Sequence, residues 1–304
     1  MLNKGRIIFW GTPEFALPSL QALHKMNLIQ AVVTQPDKPA GRGKKLLPSP
    51  VKQYCLDNNI DTLEPIKLDQ AFIDGLKKYL PATFVVVAYG KIIPQEVLDL
   101  SELAAINIHP SQLPELRGPS PIQTALLRGF ESTAVSLMQL DEKMDHGPIL
   151  GQIEVKIEPN EDYIELAGRL SELGAQILSD KINDYLTEQI TPLPQDDDKA
   201  TFCKMIKKQD GQIDWSKTAQ EIHNQVRAFR QWPTAFTSLG DIDLKIIQTQ
   251  VVDRNLQAKE VFLEKDQMFI GAGDKAVEIL QIQPAGKKVL KIADFVRGYS
   301  KNFK

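Results

Sequence analysis

The run TFVVVA, Thr83–Ala88, follows one polar residue with five apolar ones. A strand with one wet face alternates apolar and polar residues, so a run without alternation predicts a strand covered on both faces. RIIFW (6–10), LIQAVVT (28–34), AAINI (104–108) and TAVSLMQL (133–140) repeat the pattern. Helical spacing fills the intervals at Phe15–Met26, Val51–Asp57, Pro94–Leu98 and Ile122–Arg128. Strands and helices in alternation predict an α/β domain built on a Rossmann-like, doubly wound, mostly parallel sheet.

Working outward, Tyr163–Tyr185 predicts one longer helix, with Ile164, Ala167, Leu170, Ile177, Leu178 and Ile182 at helical spacing. TPLPQDDDKA (191–200) then joins two prolines to an acidic run, which is linker chemistry. Beyond it come one helix, Thr218–Phe229, and the short strand-like runs LKIIQTQVV, EVFLE, QMFIGA and AVEILQIQ, separated by turns such as LGDID and GAGDK. That spacing predicts a small antiparallel β-barrel of OB-like type. The expected layout is a catalytic domain over 1–189, a linker over 190–208 and a barrel over 209–304.

The 304 residues carry 25% charged and 42% hydrophobic side chains, ordinary for a globular protein, and a formal net charge of −3. That balance exerts no global pull on nucleic acid, so any polyanion needs a local basic patch. The two cysteines, Cys55 and Cys203, are too few for a disulfide framework or a zinc site, and no apolar stretch approaches the ~20 residues of a membrane span. The expectation is a soluble, cytoplasmic protein.

Three motifs carry chemistry. RIIFWGTPEF has the strand-to-helix position of a dinucleotide fingerprint but only one glycine in the turn, Gly11, followed by Pro13, so a nicotinamide cofactor is not expected. TQPDKPAGRGKKLLPSPVK (34–52) packs Lys38, Arg42, Lys44, Lys45 and Lys52 among prolines and glycines, with Asp37 its one acid. Such a loop is either a solvated surface or a contact to phosphates or a base edge, where Arg42 could bond bidentately. INIHPSQLPELRGPSPIQ (106–123) places Asn107 and His109 two apart on a strand, hence on one side, and Pro110 holds His109 extended. Asp145, in SLMQLDEKMDHGPIL (136–150), follows the next strand and reaches the same carboxyl edge if that strand is parallel. An Asn, a His and an Asp converging there suit acyl transfer without a covalent intermediate. No serine sits in a nucleophile elbow, and the other histidines match no metal motif.

Read together and in order, FWGTPEF, TQPDKPAGRGKK, VVVAYGKIIP, INIHPSQLPELRGPSPIQ, LDEKMDHGPIL, GQIDW and LQIQPAGKK span nearly the whole chain and resemble the methionyl-tRNA formyltransferases, within the folate-dependent formyltransferase family. The resemblance implies formyl transfer from 10-formyltetrahydrofolate to the α-amino group of initiator methionyl-tRNA. It implies Asn107, His109 and Asp145 as the catalytic trio. Ser111, Gln112, Leu113 and Pro114 match the folate-binding segment, and Tyr89 and Gly90 the loop lining its pterin pocket. The basic loop, with Lys38, Arg42, Lys44 and Lys45, is implied to approach the tRNA acceptor end. Read from the sequence itself, Lys207, Lys208, Lys287 and Lys288 are either solvated faces or a basic stripe continuing onto the second domain. No metal or membrane is implied, and a monomer is expected. The chain departs from the family pattern at Pro110, Gln112, Glu115, Leu116, Pro119 and Ser120, and also at Trp10 and His146.

Overall fold

Each unalternated apolar run becomes a strand or the heart of one. In the computed structural model, which describes residues 6–40 and 45–299, the chain begins β1 (Ile7–Gly11), α1 (Leu17–Lys25), β2 (Ile29–Val33), the hairpin β3 (Lys38–Ala40) and β4 (Lys45–Leu47), and α2 (Pro50–Asp57). It continues β5 (Thr62–Leu63), α3 (Gln70–Leu76), β6 (Thr83–Val87), α4 (Gln95–Leu98), β7 (Ile106–His109), α5 (Pro121–Leu127), β8 (Ser132–Gln139), β9 (Ile149–Lys156) and α6 (Tyr163–Leu186). Strands β1 and β6 are buried at every position, as unalternated runs require.

The seven strands stand in the order β5-β2-β1-β6-β7-β8-β9. The ladders β2–β5, β1–β2, β1–β6 and β6–β7 are parallel. β8 is antiparallel to β7, pairing His109 with Ser136 and Ile106 with Gln139. The parallel premise for Asp145 therefore fails: β8 ends at the opposite edge, and a loop over residues 140–148 brings Asp145 back. Strand order reverses at β1, which has β2 on one side and β6 on the other. The carboxyl ends there form the crevice in which open α/β sheets bind ligands. Its loops are tied through one atom: the Tyr89 carbonyl accepts from Thr12 Oγ1 at 3.0 Å and from Gln35 Nε2 at 2.7 Å.

Two residues fix how closely layers approach. Trp10, the departure ahead of Gly11, meets Phe72 and Tyr89 edge-on at ring separations of 5.7 and 5.2 Å, contacts worth about 0.5–1.5 kcal/mol each beyond the area they bury. Gly174 on α6 lies against β7, where a Cβ would stand 2.9 Å from Ile108 Cγ2.

The described residues divide into two compact units, one within Met1–Arg117, Ala134–Val155 and Ala167–Phe202, the other within Gly118–Thr133, Lys156–Leu166 and Cys203–Lys304. The units do not follow chain order, since the two short segments Gly118–Thr133 and Lys156–Leu166 cluster with the C-terminal residues. In the second unit, α7 (Ala219–Ala228) precedes β10 (Ala235–Leu239), β11 (Ile242–Val252), β12 (Val261–Glu264), β13 (Gln267–Gly271), β14 (Ala276–Pro284), β15 (Leu290–Lys291) and α8 (Ile292–Tyr299). The strands make an antiparallel sheet, β10-β11-β14-β13-β12, with β15 added on β14.

Ile222 and Val226 of α7 and Phe295 and Val296 of α8 close the core of this unit. Trp215, from the GQIDW motif, is buried there and donates its Nε1–H to Thr237 Oγ1 at 2.9 Å. Thr218 and Glu221 cap α7 reciprocally, each side chain accepting from the other's backbone N–H. No helix among the described residues is long and apolar enough to cross a membrane.

Candidate active site

β7 delivers Asn107 and His109 to one side of the sheet, two residues apart. Asn107 is half-buried, and its side-chain amide takes no partner among the described residues. His109 is 4% exposed. Its Nε2 lies 3.0 Å from the Leu116 carbonyl oxygen. A carbonyl only accepts, so Nε2 carries a hydrogen and Nδ1 is the ring atom open to proton exchange. Nδ1 faces Asp145 Oδ1 at 3.6 Å, too long for a direct hydrogen bond and suited to a bridging oxygen. The structure thus brings His109 and Asp145 together as expected, by a loop in place of a parallel strand.

Both partners of His109 sit in left-handed backbone. Leu116 has φ +56° and Asp145 φ +51°, values that a bulky leucine holds only when surrounding bonds determine them and that a short polar aspartate adopts more readily. For Leu116 those bonds are Thr201 Oγ1, which accepts its N–H at 2.9 Å, and the Thr201 carbonyl, which accepts the next N–H, that of Arg117, at 2.9 Å. For Asp145 the bond is to Gln195, whose Nε2 donates to the carbonyls of Asp145 at 3.0 Å and Gly147 at 2.7 Å. Gln195 Oε1 accepts from Arg117 Nε at 3.0 Å. The buried Arg117 also donates to Asp197 at 2.8 Å, and that hydrogen bond holds the Asp197 carboxyl below the usual carboxylate range. His146 extends the network, with Nδ1 2.6 Å from Asp141 and Nε2 3.3 Å from Asp197.

The expected folate segment is fixed as firmly. Ser111 is wholly buried and Leu113 nearly so, whereas Gln112 is exposed. Ser111 Oγ donates to the Glu115 carbonyl at 2.6 Å. Ser136 Oγ donates to the Ser111 carbonyl at 2.6 Å, and Gln152 Nε2 donates to the Leu113 carbonyl at 2.9 Å. Pro114 accepts the Thr201 N–H through its carbonyl at 3.3 Å. Of the pterin-loop pair, Tyr89 turns its phenol into the core beside Trp10, where burial pushes it up to about 12, and offers the crevice only backbone. Gly90 is exposed at φ +81°, where a Cβ would meet Gln35 Nε2 at 2.6 Å. Glycine is required there, and it leaves the backbone approachable.

The basic candidates scatter. Lys38 bonds Gln35 Oε1 at 2.6 Å from β3. Arg42 and Lys44 lie outside the described residues, and Lys45 is described only as backbone in β4. Lys207, Lys208, Lys287 and Lys288 are all exposed on the second unit. Among the described residues no three His, Cys, Asp or Glu side chains are grouped to hold a metal ion. Cys55 is buried, which pushes its thiol up to about 12 and makes it inert.

Sequence reasoning passes over Arg117, Ser136, Gln152, Gln195 and Thr201, and it notes Leu116 only as a departure from the family pattern. Leu116 contributes a carbonyl, which no side-chain pattern records, and Gln195 lies in the stretch whose composition reads as linker.

Comparison with known proteins gives the following. The Formyl transferase family profile matches residues 5–182, and that of the Formyl transferase, C-terminal domain, matches 205–300. A curated methionyl-tRNA formyltransferase of Sulfurihydrogenibium sp. is 40% identical over 301 residues, 97% of each chain. Another, of Thermodesulfovibrio yellowstonii, is 41% identical over 294 residues, 96% of this chain and 95% of the relative. A solved sugar 3N-formyl transferase, in the presence of dTDP and 5-N-formyl-THF, superposes with a TM-score of 0.71 at 24% identity, over 94% of this chain and 100% of its own. That last likeness speaks for the fold alone.

Proposed function

The chain belongs to the formyl transferase family, among the methionyl-tRNA formyltransferases, and from that premise we propose that this enzyme transfers a formyl group from 10-formyltetrahydrofolate to the α-amino group of initiator methionyl-tRNA. The observation that carries the reading is His109, buried, with Nε2 anchored on the Leu116 carbonyl and Nδ1 turned to Asp145.

Two loops fit a folate. Tyr89–Gly90 and Ser111–Pro114 follow the neighbouring parallel strands β6 and β7. Their own bonds hold both still, and Gly90 keeps its backbone open to a flat heterocycle. The bound folate supplies a formyl carbon on an aryl amine that is a competent leaving group. Asn107 Nδ2 and the Nδ1–H of a protonated His109 are the donors for negative charge developing on the formyl oxygen, a contribution of about 3–4 kcal/mol per donor. As the bond from the amine nitrogen to the formyl carbon forms and the bond from that carbon to the folate nitrogen breaks, Asp145, facing Nδ1, takes the proton of the attacking amine through a bridging water, and that proton passes on to the departing folate nitrogen.

Transfer is direct, without a covalent enzyme intermediate. Support comes from the occupied hydroxyls of Ser111 and Ser136, each committed to a backbone carbonyl, and from the inert Cys55 thiol. The basic loop over 38–45 and the exposed lysines at 207, 208, 287 and 288 are proposed as phosphate contacts to the tRNA, with 209–304 as its second holding surface and 190–208 as the connection. The protein is proposed to act in the cytoplasm as a monomer.

Incubation with 10-formyltetrahydrofolate and either methionylated initiator tRNA or an amino sugar nucleotide tests the proposal. Formylation of the aminoacyl-tRNA is expected; formylation of the sugar alone sinks it.

A further inference from the structure

We propose that Gln195 is a positioning residue for the reaction: its carboxamide locks the loop that carries Asp145 to the peptide that anchors His109, and so sets the geometry between imidazole and carboxylate. The inference rests on the function proposed above and deepens it.

The two groups that face the His109 ring come from separate loops. The Leu116 carbonyl accepts from Nε2 on one side, and Asp145 faces Nδ1 on the other. Each loop reaches its position through a left-handed residue, a conformation that the bulky Leu116 in particular does not hold unaided. The segment over 193–202 supplies the restraint on both. The carbonyl of Leu116 and the N–H of Arg117 belong to one planar peptide unit. Thr201 accepts that N–H at 2.9 Å, so it sets the direction of the carbonyl toward His109.

Gln195 does the rest. Its Nε2 clasps the carbonyls of Asp145 and Gly147, and its Oε1 takes Nε of Arg117, the residue that follows Leu116. One amide therefore closes a path of hydrogen bonds from one partner of the imidazole to the other. A free-swinging linker could not do this, and the segment is pinned at both ends: Leu193 exchanges two backbone bonds with Ile149, and Thr201 bonds Pro114, Leu116 and Arg117. Gln195 is half-buried between exposed neighbours on both sides, as a residue serving inward contacts would be.

Gln195→Glu keeps size and the acceptor for Arg117 but aims an oxygen at two carbonyls, whereas Gln195→Met removes both functions. In each variant kcat is expected to fall about ten- to hundredfold, the scale of a small misplacement of reacting groups, with KM for the folate and for the tRNA within twofold of wild type. The pH profile of kcat should change shape, and the nitrogen resonances of the His109 ring should move. Asp198→Asn, an exposed change on the same segment, should leave all of these unaltered. Thr201→Val, which removes only the hydroxyl bonded to the Leu116 N–H, should lower kcat without raising KM. Unchanged kcat in both Gln195 variants, or a loss confined to KM, overturns the proposal. A wild-type protein that does not formylate methionyl-tRNA overturns the parent reading instead. The ring spectra of Gln195→Glu still decide the positioning claim in that case, because an unmoved His109 signal contradicts it.

Discussion

Tyr89 has a buried hydroxyl with no partner among the described residues, set in the apolar cluster of Trp10, Phe72 and Phe84. A buried hydroxyl left unsatisfied is a cost, while the ring itself is a gain. Tyr89→Phe is accordingly expected to unfold at the same or higher urea concentration than wild type, by up to about 1 kcal/mol, and to keep the wild-type KM for folate. A raised KM would show that the phenol, and not the backbone, meets the ligand. The departures from the family pattern resolve at this scale too. Gln112 and Glu115 are exposed side chains, whereas Leu116 acts through its carbonyl. The departure at 116 thus leaves in place the backbone carbonyl that meets His109.

At the scale of elements, α6 offers a comparison in which two magnitudes compete. Replacing a helical glycine by alanine gains about 1 kcal/mol from backbone entropy. Gly168 has nothing within 4 Å of an added Cβ, so Gly168→Ala should stabilise by that amount. At Gly174 the Cβ would stand 2.9 Å from Ile108 Cγ2, and overpacking there costs about 1–3 kcal/mol. Gly174→Ala should therefore be destabilising in denaturant titrations. On α7, burial and then the nearby Arg227 guanidinium hold the buried His223 below its usual 6.5. The unfolded chain then binds a proton that the folded one refuses, so stability falls as pH drops through about 6.5. Urea midpoints at pH 7 and pH 5 should differ by less in His223→Gln than in wild type. Strand positions were legible because both faces of the sheet are covered, but the direction of β8 was not. An antiparallel strand buried on both faces, as β8 is at six of its eight positions, shows the same unbroken apolar run as a parallel one. The hairpin of β3 and β4, the two-residue β5, the short α3 and the edge strand β9 also escaped, being brief or weakly patterned.

For the whole molecule, the chain's net charge of −3 means that tRNA must be held by local charge. Removing one cation that pairs with a phosphate should flatten the log–log salt dependence of binding by roughly one unit. Substituting Arg42, Lys44 and Lys45 together by alanine should reduce the slope by about three, and an unchanged slope would return that loop to a solvated surface. The proposed trio could be picked out in the sequence because Asn, His and Asp are rare company on a strand end and its neighbouring loop. The residues that fix them, Leu116, Gln195 and Thr201, were not, since they act by backbone atoms or from a stretch whose composition reads as linker. The account turns on His109 and Asp145 making the chemical step. Single-turnover formyl transfer from 10-formyltetrahydrofolate to methionylated initiator tRNA, measured for His109→Ala and Asp145→Ala at saturating tRNA, tests it most directly. Loss of transfer in both, with tRNA affinity close to wild type, is the predicted result; near wild-type transfer in either would contradict it.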